Sequence, residues 1–382
     1  MVTSIVAASS VFGLLVVLVS GLPYEFDDQR ATKALYDEVR QLLNLNQQGY
    51  MQDAPQPEQI LSSESPDKPE TPRAVKNWPE EDLKLGQVSG VSVNAALQPV
   101  IFHRGDRVWN QFTFNETHHF QLGHIGPIRE HTVLTLDPLN GKVLGKWGAD
   151  FFYMPHGLTV DRHDNLWLTD VALHQVFKFK PGELQPALTF GVRFEPGSDK
   201  KRFCKPTSVA IASTGEIFIA DGYCNTRILK YNAAGTLLRV FPTPPEALSL
   251  QVPHGLALIE PMDRICVADR ENMRVVCPRA GLYTLQGKKE PALTITQPDM
   301  GRVFGVASKG KLIYAVNGPT SMLTVQGLTI DPQTESVIDH WAPEEGFGNP
   351  HDIAVCPNGS AIYVVEIGPN RVWKFELVPP KK

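Results

Sequence analysis

Six stretches that begin alike recur along most of this chain, and their spacing constrains the fold more than any other property. Aligned on their first residues they are Val88-Ser89-Gly90-Val91, Pro155-His156-Gly157-Leu158, Pro206-Thr207-Ser208-Val209, Pro253-His254-Gly255-Leu256, Val303-Phe304-Gly305-Val306 and Pro350-His351-Asp352-Ile353. The intervals are 67, 51, 47, 50 and 47 residues, the first lengthened by an insertion around 110–130. Each start leads into alternating apolar residues and a turn such as DRHDN, ASTGE or CPNGS. A second strand-like run then ends on an acidic or amide residue: LWLTD, IFIAD, ICVAD, IYAVN, IYVVE. A third run follows in most units (HQVFKFK, TRILKYN, MRVVC, NRVWKFE), and the first unit ends similarly in VIFHRGDRVWNQF. Units of about 50 residues with three or four short strands each predict an all-β, six-bladed β-propeller. The repeats of a linear solenoid are shorter. In a closed ring the leftover strand of one blade comes from the opposite terminus, and Trp373–Leu377 is expected to complete it.

The rest of the chain divides by composition. Between Met1 and Tyr24 there is no charged side chain, and the apolar run VFGLLVVLV is followed by the small residues Ser20 and Gly21. Residues 1–21 are therefore expected to be an export signal. An uncleaved anchor is the alternative, because the uncharged stretch just reaches bilayer-spanning length. Residues 22–83 hold a short helix, with Leu35, Val39 and Leu42 on one face, and then a polar, proline-rich run that marks a linker or pro-segment. The propeller is expected over 84–378. Five cysteines leave one thiol over after at most two bridges, and Asn115 and Asn358 begin acceptor triplets for glycosylation. Both features suit the secretory pathway, either as a secreted protein or in a granule lumen. A formal net charge of −5 lacks the basic footprint of a nucleic-acid binder, so no such partner is expected.

The chemistry is carried by one position of the repeat. In a propeller the first strand of each blade lines the central channel, so equivalent positions form a ring. After the aligned first residue the ring holds, in order, Ser89, His156, Thr207, His254, Phe304 and His351. Histidine falls on blades two, four and six, and alternate blades of six stand 120° apart. Three imidazoles therefore converge on the axis, which is the donor set of a catalytic zinc with an open fourth position. A loop position after the second strand carries Arg104, Tyr223 and Arg270 at one mouth of the channel. Arginine binds carboxylates in a bidentate fork. A tyrosine beside a metal and two cations is suited to act as a general base. Asp352 points the other way along its strand from His351, and with backbone carbonyls it is suited to a harder cation such as Ca²⁺.

The stretches VIFHRGDRVW, PHGLTVDRHDNLWLTDVALHQVFKF, PGSDKKRFCKPTSVA, DGYCNTRI, VPHGLAL and VADREN resemble the peptidyl-α-hydroxyglycine α-amidating lyase family over roughly 84–378. The resemblance implies a six-bladed propeller of NHL-like repeats, with a channel zinc and a structural calcium. The implied activity is cleavage of the N–Cα bond of a C-terminal hydroxyglycine to peptide amide and glyoxylate. It assigns zinc to His156, His254 and His351, and calcium to the side chain of Asp352 and the carbonyls of Val91 and Leu158. Tyr223 matches the proposed base, and Arg104 and Arg270 match the arginines near the substrate. The implied disulfides are Cys204–Cys224 and Cys266–Cys277, which leave Cys356 as a free thiol. Bifunctional members join the lyase to a copper monooxygenase, and residues 22–80 are too short to supply one. The chain is thus expected to be a stand-alone, monomeric lyase whose hydroxylated substrates come from a separate copper enzyme. A departure is Asn349, where the family pattern has Met before the third Pro-His.

Two other readings compete. One is a secreted propeller that only binds a partner and carries a vestigial metal site. The other is a propeller hydrolase of the lactonase type, which would need an acidic metal cage where this ring has histidine.

Overall fold

The computed structural model describes residues 70–242, 248–283 and 290–379. The chain separates into a unit of residues 1–67 and a unit of residues 68–382, and the second is described here. The expected export signal and the short helix lie outside the described residues. Among the described residues no helix is long and apolar enough to cross a membrane.

Among its described residues the second unit holds six four-stranded antiparallel sheets. Their innermost strands are Val88–Val93, Pro155–Val160, Pro206–Ile211, Pro253–Ile259, Val303–Lys309 and Pro350–Val355, the six starts of the sequence repeat. Each inner strand packs beside the next, and that of blade six beside that of blade one. The ring is therefore closed, as expected. Apolar residues that alternate along the strands pack between neighbouring sheets. Trp167 and Val176 of blade two, for example, share a cluster with Val209, Ile219 and Leu229 of blade three.

Two details differ from expectation. Val372–Val378 is the third strand of blade six, not the one that completes it. The outermost strand is Thr71–Ala74, paired antiparallel with Thr71 opposite Val378 and Ala74 opposite Phe375. The segment read as linker thus contributes the closing strand, and Trp78 beyond it is buried against Tyr363 with ring centroids 5.3 Å apart. Four residues, TPRA, have no alternation strong enough to announce a strand; the exposed edge of Val372–Val378 supplies the hydrogen bonds that make them one. In blade one, the stretch after His103 is not a third strand. That strand is Val133–Leu136, beyond an insertion that rises at the channel mouth.

One irregularity recurs in every blade. The pairing of each inner strand with its neighbour slips at the ring position: between Val88 and Gly90, Pro155 and Leu158, Pro206 and Ser208, Pro253 and Leu256, Val303 and Gly305, and Pro350 and Asp352. A bulge bends the strand and re-aims the residue inside it. Here the residue inside it is the ring residue.

Candidate active site

In the three blades that bear a ring histidine, the acidic end of the second strand holds the entry to the bulge. Asp170 accepts the backbone N–H groups of Tyr153 and Met154, directly before Pro155-His156, at 2.7 and 3.0 Å. Glu366 does the same for Gly348 and Asn349 before Pro350-His351, at 2.7 and 2.9 Å. Asp269 accepts Gln251 N–H at 2.6 Å, ahead of Pro253-His254. Sequence alone marked these residues only as strand ends; in the fold each clamps the loop that delivers a histidine.

His156, His254 and His351 are all buried, and one nitrogen of each lies within 4.8 Å of those of the other two. The ring centroids stand 4.8, 4.7 and 4.7 Å apart, a nearly regular triangle about the axis. Each imidazole is fixed by the next blade. The Nδ1 of His156 lies 2.8 Å from the carbonyl of Thr207, that of His254 lies 2.8 Å from Phe304 O, and that of His351 lies 2.7 Å from Ser89 O. A carbonyl only accepts, so Nδ1 carries the proton and Nε2 turns its lone pair to the axis. The six ring positions therefore divide into three that supply imidazoles and three whose backbone orients them. Gly157 allows the close approach, since a Cβ there would stand 2.4 Å from Thr207 O. Burial, reinforced by the charge of neighbouring imidazoles or of Arg104 and Arg270, holds all three histidines well below the ordinary value, His351 down to about 3. Neutral imidazoles with free Nε2 lone pairs are suited to a borderline-soft ion such as zinc, and their oriented N–H groups are typical of metal-ligating histidine.

The Tyr223 hydroxyl stands at this triangle, 3.0 Å from His156 Nε2 and 3.1 Å from His254 Nε2. The disulfide Cys204–Cys224, with Cα atoms 5.4 Å apart, ties the loop that bears Tyr223 to the entry of blade three. Trp109 of the blade-one insertion packs on the Tyr223 ring at 4.8 Å, a neighbour that sequence reasoning missed because nothing local distinguishes it from other loop aromatics. Arg270 directs Nη1 toward the Tyr223 hydroxyl at 3.5 Å. Arg104 is buried beside this group, 5.4 Å from the Trp109 ring. Its Nε donates to Pro155 O at 2.9 Å and its Nη1 to Gln87 Oε1 at 2.7 Å, and burial brings its guanidinium down to about 10.

Asp352 turns to blade one. Its Oδ2 accepts Val91 N–H at 3.0 Å and its Oδ1 accepts Ile353 N–H at 2.9 Å. Gly90, beside Val91, abuts Leu158, so Asp352, Val91 and Leu158 follow one another round the ring. Burial pushes the Asp352 carboxyl up to about 7 against those two hydrogen bonds, and no basic side chain offsets it. A buried carboxyl in that state is suited to a hard cation. The second disulfide, Cys266–Cys277, is also formed, and Cys356 is a buried free thiol. Asn115 and Asn358 are exposed.

Residues 203–231 and 250–277 match the NHL repeat. Solved structures of similar fold include a nidogen/laminin complex (TM-score 0.53, 14% identity, 72% of this chain and 86% of that one) and a gluconolactonase from Xanthomonas campestris (TM-score 0.52, 14% identity, 83% and 99%). At that identity they speak for the propeller alone. Sequence similarity is far stronger elsewhere. The chain is 44% identical to peptidyl-alpha-hydroxyglycine alpha-amidating lyase 1 of Drosophila melanogaster over 78% of its length and 58% of that protein's. It is 41% identical to peptidyl-glycine alpha-amidating monooxygenase A of Xenopus laevis, of which it spans 32%. To peptidyl-alpha-hydroxyglycine alpha-amidating lyase 2 of Drosophila melanogaster it is 58% identical, over 80% of its own length and 76% of that protein's. An identity that high over four-fifths of the chain makes it a member of the peptidyl-α-hydroxyglycine α-amidating lyase family.

Proposed function

We propose that this lyase acts with zinc on peptides that end in α-hydroxyglycine, cleaving the N–Cα bond to release the peptide amide and glyoxylate. The observation that carries the proposal is the Tyr223 hydroxyl within hydrogen-bond distance of two of three convergent Nε2 atoms. His156, His254 and His351 would hold the ion, which supplies Lewis acidity toward the substrate's oxygens when bound. Tyr223 takes the proton of the substrate hydroxyl in its phenolate form. As that O–H bond gives way to the C=O of glyoxylate, the N–Cα bond breaks and its electron pair passes to the amide nitrogen. Tyr223 then returns that proton to the nitrogen, which gives the primary amide and restores the base. Arg270, facing the Tyr223 oxygen, stabilises its negative charge and helps to orient the substrate carboxylate. Arg104 adds positive charge from beside the group. Trp109 covers the tyrosine ring and limits water at the base.

Asp352, with the carbonyls of Val91 and Leu158, is proposed to take a calcium ion that braces blades six, one and two. Two disulfides and two exposed acceptor asparagines support work in the secretory pathway, as a secreted or granule enzyme. There a separate copper monooxygenase would supply its substrates. The test is glyoxylate release from an α-hydroxyglycine peptide. Tyr223→Phe should lower turnover by about 100-fold or more while bound zinc stays near stoichiometric. Unchanged turnover in that variant would sink the base assignment.

A further inference from the structure

Arg270 owes its direction to residues on two blades. It opens a short 3-10 turn, Arg270–Asn272, after the second strand of blade four. Its neighbour Glu271 accepts Arg270 Nε at 2.9 Å, and the same oxygen stands 2.8 Å from Arg270 Nη2. One edge of the guanidinium is thus occupied, and Nη1 is left to face the Tyr223 hydroxyl. At 3.5 Å that contact is too long to orient the group by itself.

Glu271 is held in turn from blade five. Arg302 Nη2 donates to the same carboxylate oxygen. Both guanidiniums lie over the Phe304 ring, Arg270 at 4.8 Å and Arg302 at 5.7 Å. Phe304 is the ring residue of blade five, 5.1 Å from His254 and 6.0 Å from His351. It fits there because residue 318 is glycine: a Cβ would stand 2.2 Å from the Phe304 ring. Burial pushes the Glu271 carboxyl up, but the hydrogen bonds and charge of Arg302 and Arg270 outweigh it and hold the group below its ordinary value. An exposed pair of this kind is worth little to stability. This one is half-buried, shared between two cations and aimed at the reacting group.

We propose that Glu271, braced by Arg302, is a positioning residue that fixes the Arg270 guanidinium with Nη1 toward the Tyr223 hydroxyl. The proposal rests on the lyase mechanism given above. The experiment is a double-mutant cycle on the zinc-loaded protein, with E271A, R270A and their combination assayed for glyoxylate release and for bound zinc. E271A should lose about 10-fold or more in kcat, with KM within about twofold and zinc unchanged. Added to R270A, it should cost less than about twofold further, because a residue that acts through Arg270 has nothing left to position. An equal loss in both backgrounds, or wild-type turnover in E271A, would overturn the proposal. Full activity in R270A would instead remove Arg270 from the mechanism, and the positioning role with it. If E271A does not fold, E271Q takes its place in the same cycle.

Discussion

Arg104 and Arg270 occupy the same position in the repeat, yet their surroundings give them different work. Arg104 is buried and donates to Pro155 O, directly ahead of His156, and to Gln87. Arg270 is partly open and faces Tyr223. Arg104→Ala is therefore expected to cost about 2–3 kcal/mol in stability, the worth of hydrogen bonds to a charged group, as well as activity. Arg270→Ala should lose activity with an almost unchanged urea midpoint. Asp352 allows a second separation. Calcium should raise the thermal midpoint of the wild-type protein, and Asp352→Asn should abolish that rise while leaving bound zinc in place. The three histidines, Tyr223 and both arginines were legible from sequence because the repeat aligns them and their chemistry is written in the side chain. Their orienting partners were not. Thr207, Phe304 and Ser89 act through backbone carbonyls, which every residue type possesses.

The bulge and the closing strand carry the site at the level of elements. A regular inner strand would alternate its side chains between the neighbouring blades, and the slip at the ring position is what turns each histidine to the axis. The Thr71–Ala74 strand covers the outer edge of Val372–Val378. Trp78→Ala should cost about 3–5 kcal/mol, as expected for a buried tryptophan, and is checked by urea unfolding. Loss of the whole strand would bare Val372–Val378 and favour association, which light scattering would detect. Neither element was visible beforehand, since a bulge depends on pairing partners and a four-residue strand on an edge far away in sequence.

Acid should loosen the molecule as a whole through His174. This side chain is buried, accepts Lys205 N–H at 3.0 Å through Nδ1, and packs on Phe114. Burial, with the charges of Lys205, His119 and His118, lowers it from 6.5 to about 3. The sign follows from its being neutral in the fold. Above pH 6.5 both states are neutral and stability is complete. As pH falls from there toward 3, the unfolded chain takes up a proton that the folded one refuses, so stability drops by up to about 1.4 kcal/mol per pH unit. His174→Asn, which keeps an acceptor for Lys205 N–H, should flatten that decline. Urea midpoints of zinc-loaded protein between neutral and mildly acid pH measure it.

The sequence by itself determined the number of blades, the ring position and the three convergent imidazoles, because a repeat is a local pattern and closure converts its period into angles about an axis. It also carried the lyase resemblance, and through it the implied disulfide pairings. Only the tertiary structure decided which terminus closes the ring, how each imidazole is held, and how Glu271 and Arg302 aim Arg270 at Tyr223. Those outcomes depend on contacts between blades, where distant backbone and unremarkable side chains meet, and such contacts leave no spacing in the chain from which to read them.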